Sequence, residues 1–201
     1  GYLWIGSDAG LFRFDGWRFV HWDSLGDIPL PNAPVTAVSV SRDGSIWVGF
    51  ASAAGLRHLR DGRTVSPGAN AQQIGFVDAI EEERSGTHWA VAQNKLYRLD
   101  QTGWRHVSVS GGEVEPFSRV VNLRPRRSGG MFVLTTDGVF QQESSGAFTR
   151  ITGSSTPSGA RLSAWTWDIG EGADDSLWTT DMAAGFKQRA PGSTAWFQPR
   201  S

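Results

Sequence analysis

The sequence predicts an all-β protein, a β-propeller of about five four-stranded blades. Three observations lead there. A short apolar pattern built around one large ring recurs along the whole chain: Leu3-Trp4-Ile5-Gly6, Ile46-Trp47-Val48-Gly49, His88-Trp89-Ala90-Val91, Met131-Phe132-Val133-Leu134 and Leu177-Trp178-Thr179-Thr180. Counted from ring to ring, the copies are 43, 42, 43 and 46 residues apart, the length of one four-stranded blade. The 201 residues include 25 glycines and 10 tryptophans, a composition that suits strands joined by tight turns, and no unit shows helical periodicity.

Within each copy the elements follow one order. An alternating run comes first, at 35–40, 77–80, 120–123 and 162–169; period-two alternation signals a strand. A turn such as Arg42-Asp43-Gly44 or Arg84-Ser85-Gly86 follows, where glycine supplies the positive φ of a tight hairpin. The ring strand is next. Third strands begin at Gly10-Leu11, Gly55-Leu56, Lys95-Leu96, Gly138-Val139 and Gly185-Phe186, and fourth strands are expected at 17–20, 63–65, 104–107, 147–151 and 195–197. The repeats therefore span 1–22, 35–66, 77–108, 119–151 and 162–198 of a single propeller domain or fragment. The first copy lacks its first strand. Five blades either close into a ring or form an arc of a larger propeller. The opening Gly1-Tyr2-Leu3-Trp4-Ile5-Gly6 lacks the basic start and long apolar core of a signal peptide, and a chain that begins inside a strand is expected to be cut from a longer one.

The repeated ring is expected to fill the gap between adjacent blades. Burying one removes roughly 150–250 Å² from water, an upper bound of about 4–6 kcal/mol. The glycines after the ring strands read first as turn residues.

Composition narrows the chemistry. Lys and Arg number 19 against 20 Asp and Glu, for a net charge of −1, which gives no electrostatic footprint for nucleic acid or an anionic membrane. Cysteine is absent, which removes disulfides, zinc-thiolate sites and thiol catalysis. No apolar stretch is long enough to span a bilayer. Phosphate-loop, nucleophile-elbow, zinc-protease and EF-hand patterns are all missing. His21, His58, His88 and His106 fall at different places in three repeats, a scatter unlike a metal site. No catalytic residue, metal ligand or cofactor is expected.

A binding site is easier to place. In a propeller the turns joining second to third strands share one end with the connections between blades, and binding residues gather on loops held by a rigid scaffold. That end carries Asp8, Gln93, Asn94, Asp137 and Asp181 at one repeat position, although such residues also favour turns for their own sake. Trp165 and Trp167 share one side of an alternating strand, where a sugar could stack or a neighbouring blade could pack.

The stretch from Gly1 through Leu3-Trp4-Ile5-Gly6 to Gly10-Leu11 and Asp15-Gly16 resembles the two-component regulator propeller repeat. So does Val35-Thr36-Ala37-Val38 through Asp43-Gly44-Ser45-Ile46-Trp47-Val48-Gly49 to Gly55-Leu56. The later copies keep the spacing and lose letters: Trp89 has no glycine two residues on, and Phe132 replaces Trp. The resemblance implies an extracytoplasmic, periplasmic sensor segment of a bacterial inner-membrane signalling protein, non-catalytic itself. In such proteins a β-sandwich, a membrane helix and a histidine kinase or diguanylate cyclase follow the propeller. It implies a small-molecule ligand such as a carbohydrate, or a partner. The partner is expected to be further blades or a β-sandwich of the same parent chain, or a second copy in a homodimer, with no nucleic acid and no membrane contact by this segment. Two other readings stand beside it: a propeller enzyme acting on carbohydrate, a lyase or glycosidase with converging carboxylates or histidines, and a protein-interaction scaffold.

Overall fold

The computed structural model describes residues 2–107, 119–136, 138–151, 166–181 and 185–198. Among the described residues eighteen strands form five separate antiparallel sheets, each laid down in sequence order. The first sheet is β1 (Leu3–Ser7), β2 (Gly10–Phe14) and β3 (Phe19–His21). The second is β4 (Val35–Val40), β5 (Ile46–Phe50), β6 (Leu56–Arg60) and β7 (Arg63–Val65). The third is β8 (Val77–Glu82), β9 (His88–Ala92), β10 (Lys95–Asp100) and β11 (Gly103–His106). The fourth is β12 (Val120–Pro125), β13 (Met131–Thr135), β14 (Gly138–Gln142) and β15 (Phe148–Arg150). The fifth is β16 (Thr166–Glu171), β17 (Leu177–Asp181) and β18 (Gly185–Arg189), with a single bridge from Gln188 to Phe197 in place of a regular fourth strand. The chain divides into two compact units, one holding β1–β11 and the other β12–β18.

Each blade has two faces, and the ladders say which residues share one. Directly paired residues point the same way. In the second blade Trp47 pairs with Ser39 and His58, and Gly49 pairs with Ala37 and Leu56. Trp47 and Leu56 pack against the third blade, in a cluster with Val77, Ile80, Ala90, Ala92 and Trp104; this is the trailing face. The opposite, leading face carries Ile46, Val48, Phe50 and Leu59 into a cluster with Trp4 and Leu11 of the first blade and with Trp22. In the other unit Phe132, Leu134 and Val139 of the fourth blade meet Ile169, Leu177 and Trp196 of the fifth. The repeated ring therefore fills the seam toward the following blade wherever a seam is described within a unit.

Three details differ from the sequence reading. Gly6 and Gly49 lie inside β1 and β5, not in turns. A Cβ on Gly49 would sit 2.6 Å from Val77 Cγ1, and one on Gly6 2.5 Å from Val35 Cγ1, so these glycines let the first strand of the next blade approach. The fourth strand of the first blade begins at Phe19 rather than at 17. The Asp15 carboxylate accepts from the Trp17 and Arg18 amides, at 2.9 and 3.0 Å, and that turn holds Trp17 outside the strand. The first strands also do not alternate strictly. Each of β4, β8, β12 and β16 carries a register shift at its second residue, Thr36, Asp78, Val121 and Trp167. A bulge there re-aims what precedes it. Trp165 and the Trp167 side chain, expected to share one side, lie outside the described residues.

Candidate functional site

The turns between second and third strands lie at one end of each blade, beside the inter-blade connections. The Ala51 amide donates to Pro34 O at 2.9 Å, the Gln93 amide to Phe76 O at 3.0 Å and the Thr136 amide to Arg119 O at 3.0 Å. The same contact in three blades fixes where the expected rim residues stand.

Asp8 is exposed in the turn between β1 and β2. That turn is braced by Ser7, whose hydroxyl donates to Gly10 O (3.2 Å) and accepts from the Ala9 amide (3.2 Å), and by a 3.0 Å hydrogen bond between His21 Nε2 and Ala9 O. Gln93 and Asn94 form the two-residue turn between β9 and β10, at φ 49° and 63°. Positive φ at both positions suits a tight hairpin and is tolerated by Asn. Both side chains are exposed. The equivalent turn of the second blade is a short 3₁₀ segment, Ser52–Ala54, so small residues separate Asp8 from Gln93 and Asn94 along the first unit. In the other unit Asp181 ends β17 opposite Gly185, with its side chain outside the described residues, and Asp137 lies outside them altogether.

What this rim can do is bind through exposed polar groups. Asp8, Gln93 and Asn94 offer a carboxylate and two amides on braced turns, a donor and acceptor set that suits hydroxylated or polar ligands. Among the described residues no group of three His, Asp or Glu side chains could hold a metal ion. The carboxyls held below their ordinary value, Asp15, Asp43, Asp100 and Asp174, lie elsewhere. The Ser45 hydroxyl and amide hold Asp43 at about 2, and the Ser176 hydroxyl and amide lower Asp174 in the same way. Both sit in turns before a ring strand and serve the turn.

All four histidines have structural employment. His58 stacks on Trp47 with ring centres 4.2 Å apart and planes 7° apart, and His88 lies 4.9 Å from the same Trp47 while hydrogen bonding Ser41 Oγ at 2.8 Å. Burial pushes both imidazoles down from 6.5. His21 packs edge-on to Phe12 at 4.9 Å, and His106 on Tyr97 at 5.8 Å.

No family model matches the sequence, and no curated protein does. Solved structures do. The extracellular domain assigned to the hybrid two component system BT4673 of B. thetaiotaomicron superposes with a TM-score of 0.74 at 18% identity, over 98% of this chain and 26% of that one. Virginiamycin B lyase from Staphylococcus aureus gives 0.65 at 16% identity over 100% of this chain and 70% of that one. A streptogramin B lyase gives 0.70 at 15% identity over 100% and 66%. The chain is a run of β-propeller blades. It spans about a quarter of the length of that extracellular domain and about two-thirds of the lyases. Identities below a fifth establish the fold and leave the activity to the residues.

Two groupings escaped the sequence reading. One is the pair of histidines on either side of Trp47. The other is an ion pair across the seam between fourth and fifth blades, Arg124 Nε to Asp168 Oδ1 at 2.6 Å and Nη2 to Oδ2 at 2.9 Å. A faint signal existed for the second: its members are 44 residues apart, one repeat length.

Proposed function

We propose that this chain is the ligand- or partner-binding propeller segment of an extracytoplasmic bacterial sensor and carries out no chemistry itself. The observation that carries the reading is the rim: Asp8 is exposed on a turn braced by Ser7 and His21, and Gln93 and Asn94 are exposed on a turn anchored to an inter-blade connection, while His58 and His88 are packed against Trp47. The similarity to the extracellular part of a hybrid two component system supports it, as does the spelling of the first two repeats. No helix among the described residues is long and apolar enough to cross a membrane. A polar ligand of the carbohydrate class fits the exposed carboxylate and amides. The test is calorimetry and thermal shift against a sugar panel, with Asp8→Ala and the double variant Gln93→Ala/Asn94→Ala. The reading expects at least a tenfold loss of affinity at unchanged melting temperature; binding that survives both variants would sink the rim.

The lyase neighbours motivate a second reading. One of those structures is a catalytically inactive histidine-to-alanine variant with quinupristin bound. Turnover of quinupristin by this chain would establish that reading and displace the first.

A further inference from the structure

Two blade faces stay uncovered among the described residues, and they are complementary halves of a seam that the molecule builds elsewhere. In the seam between second and third blades, Trp47 and Leu56 of one trailing face are 2% and 0% exposed. They are covered from the next blade by His88, at the start of the ring strand, and by Trp104, on the fourth strand, whose ring meets Trp47 edge-on at 5.6 Å. The Trp104 indole also donates to Pro67 O at 2.8 Å, just past the fourth strand of the preceding blade. The seam between fourth and fifth blades repeats the plan with Phe132 and Val139, covered by Leu177 and Trp196, and the Trp196 indole bonds Ile151 O at 3.3 Å.

On the fifth blade the trailing-face positions are Trp178 and Phe186, joined by Phe197 through its pairing with Gln188. They are 37%, 66% and 47% exposed, and a shallow recess opens between Trp178, Phe186, Gly170 and Thr180. On the first blade the leading-face positions are Leu3 and Phe19. Both pair with Phe14 on one face, and Phe19 stands opposite the third strand as Trp104 stands opposite Leu99. They are 58% and 62% exposed.

We infer that these faces meet between two copies of the chain, the leading face of one first blade docking head to tail on the trailing face of another fifth blade. The contact continues an interface that the fold already builds between first and second, second and third, and fourth and fifth blades, and each copy supplies both halves. At the exposure they retain, the four rings Phe19, Trp178, Phe186 and Phe197 together offer on the order of 300–500 Å², about a quarter of the roughly 1,600 Å² of a standard interface, so the association is weak and concentration-dependent. The contact is heterologous, one surface against a different one, and that makes it separable from a symmetric dimer.

The experiment is light scattering and sedimentation of the chain across a concentration series, with Phe19→Glu and Phe186→Glu. The mass is expected to rise from 21.9 kDa toward twice that value or a higher multiple. Each variant alone is expected to stay at the single-chain mass, and an equimolar mixture of the two to associate again, because one intact leading face and one intact trailing face remain. Leu3→Glu and Trp178→Ala serve as second variants of each face should either first choice lose its native circular dichroism. A native chain that stays monomeric at every concentration, variants that still associate, or a mixture that stays monomeric would each overturn the inference. None of these results depends on ligand binding at the rim.

Discussion

The seam between the second and third blades and the seam between the fourth and fifth use equivalent positions and different chemistry. In the first, Trp47 is clasped by two imidazoles and the edge of a second indole. In the second, Phe132 packs with Leu177 and Trp196, and the rim of the seam is tied by a forked Arg124–Asp168 ion pair. The shared part is the buried ring at one strand position. The varied part is what touches it or ties the edge of the seam, two imidazoles in one unit and the forked Arg124–Asp168 pair in the other. Apolar burial sets the blade plan, and the polar neighbours decide how each seam answers to pH and salt.

The largest effect expected from breaking the comparison is loss of the ring. Trp47→Ala and Phe132→Ala should each cost about 3–5 kcal/mol in urea unfolding. Similar losses would say that the ring dominates both seams; a much smaller loss at Phe132 would say that the ion pair carries the second. Next comes close approach. Gly49→Ala puts a Cβ 2.6 Å from Val77 Cγ1 and should cost about 1–3 kcal/mol. The same swap at the equivalent Val91 leaves space instead of a clash, so only the first should be rescued by Val77→Ala.

Acid should separate the seams. Burial holds His58 and His88 below 6.5 in the folded chain, with Glu82 and Asp43 opposing the shift and Arg42 and Arg60 adding to it. Above the unfolded value both states are neutral and these groups contribute nothing to pH dependence. As pH falls through 6.5 the unfolded chain takes up protons that the seam refuses, so stability falls. Hydrogen exchange of β5 and β9 should quicken between neutrality and about pH 5, that of β13 and β17 should change less, and His88→Gln should flatten the difference. The smallest effect is the ion pair. Arg124 and Asp168 are 36% and 46% exposed, so Arg124→Met should cost no more than about 1 kcal/mol, diminishing with added salt.

The blade plan was readable because it rests on local patterns: a ring every 42 to 46 residues, alternation, and glycine-marked turns. What was not readable depends on what the next blade brings. Gly49 reads as a turn residue until Val77 stands against it. Trp17 and Trp104 look equivalent in sequence, yet Asp15 turns one of them out of its strand while a two-residue turn keeps the other in. The bulge at Trp167 is set by the ladder with β17 and leaves no mark in the alternating run itself. The rim residues Asp8, Gln93 and Asn94 were legible as turns because short stretches of polar residues between apolar strands favour exposed turns. Their arrangement around a ligand was not, since it depends on which turns stand beside them.

The most direct test compares one repeat position in two settings. Trp47 and Trp178 occupy equivalent places on their ring strands, one 2% and the other 37% exposed. At low protein concentration, urea unfolding should show Trp47→Ala losing about 3–5 kcal/mol and Trp178→Ala less than about half as much, in line with the area each buries. Equal losses at the two sites would contradict the claim that this ring stabilises a blade through the seam with its following neighbour.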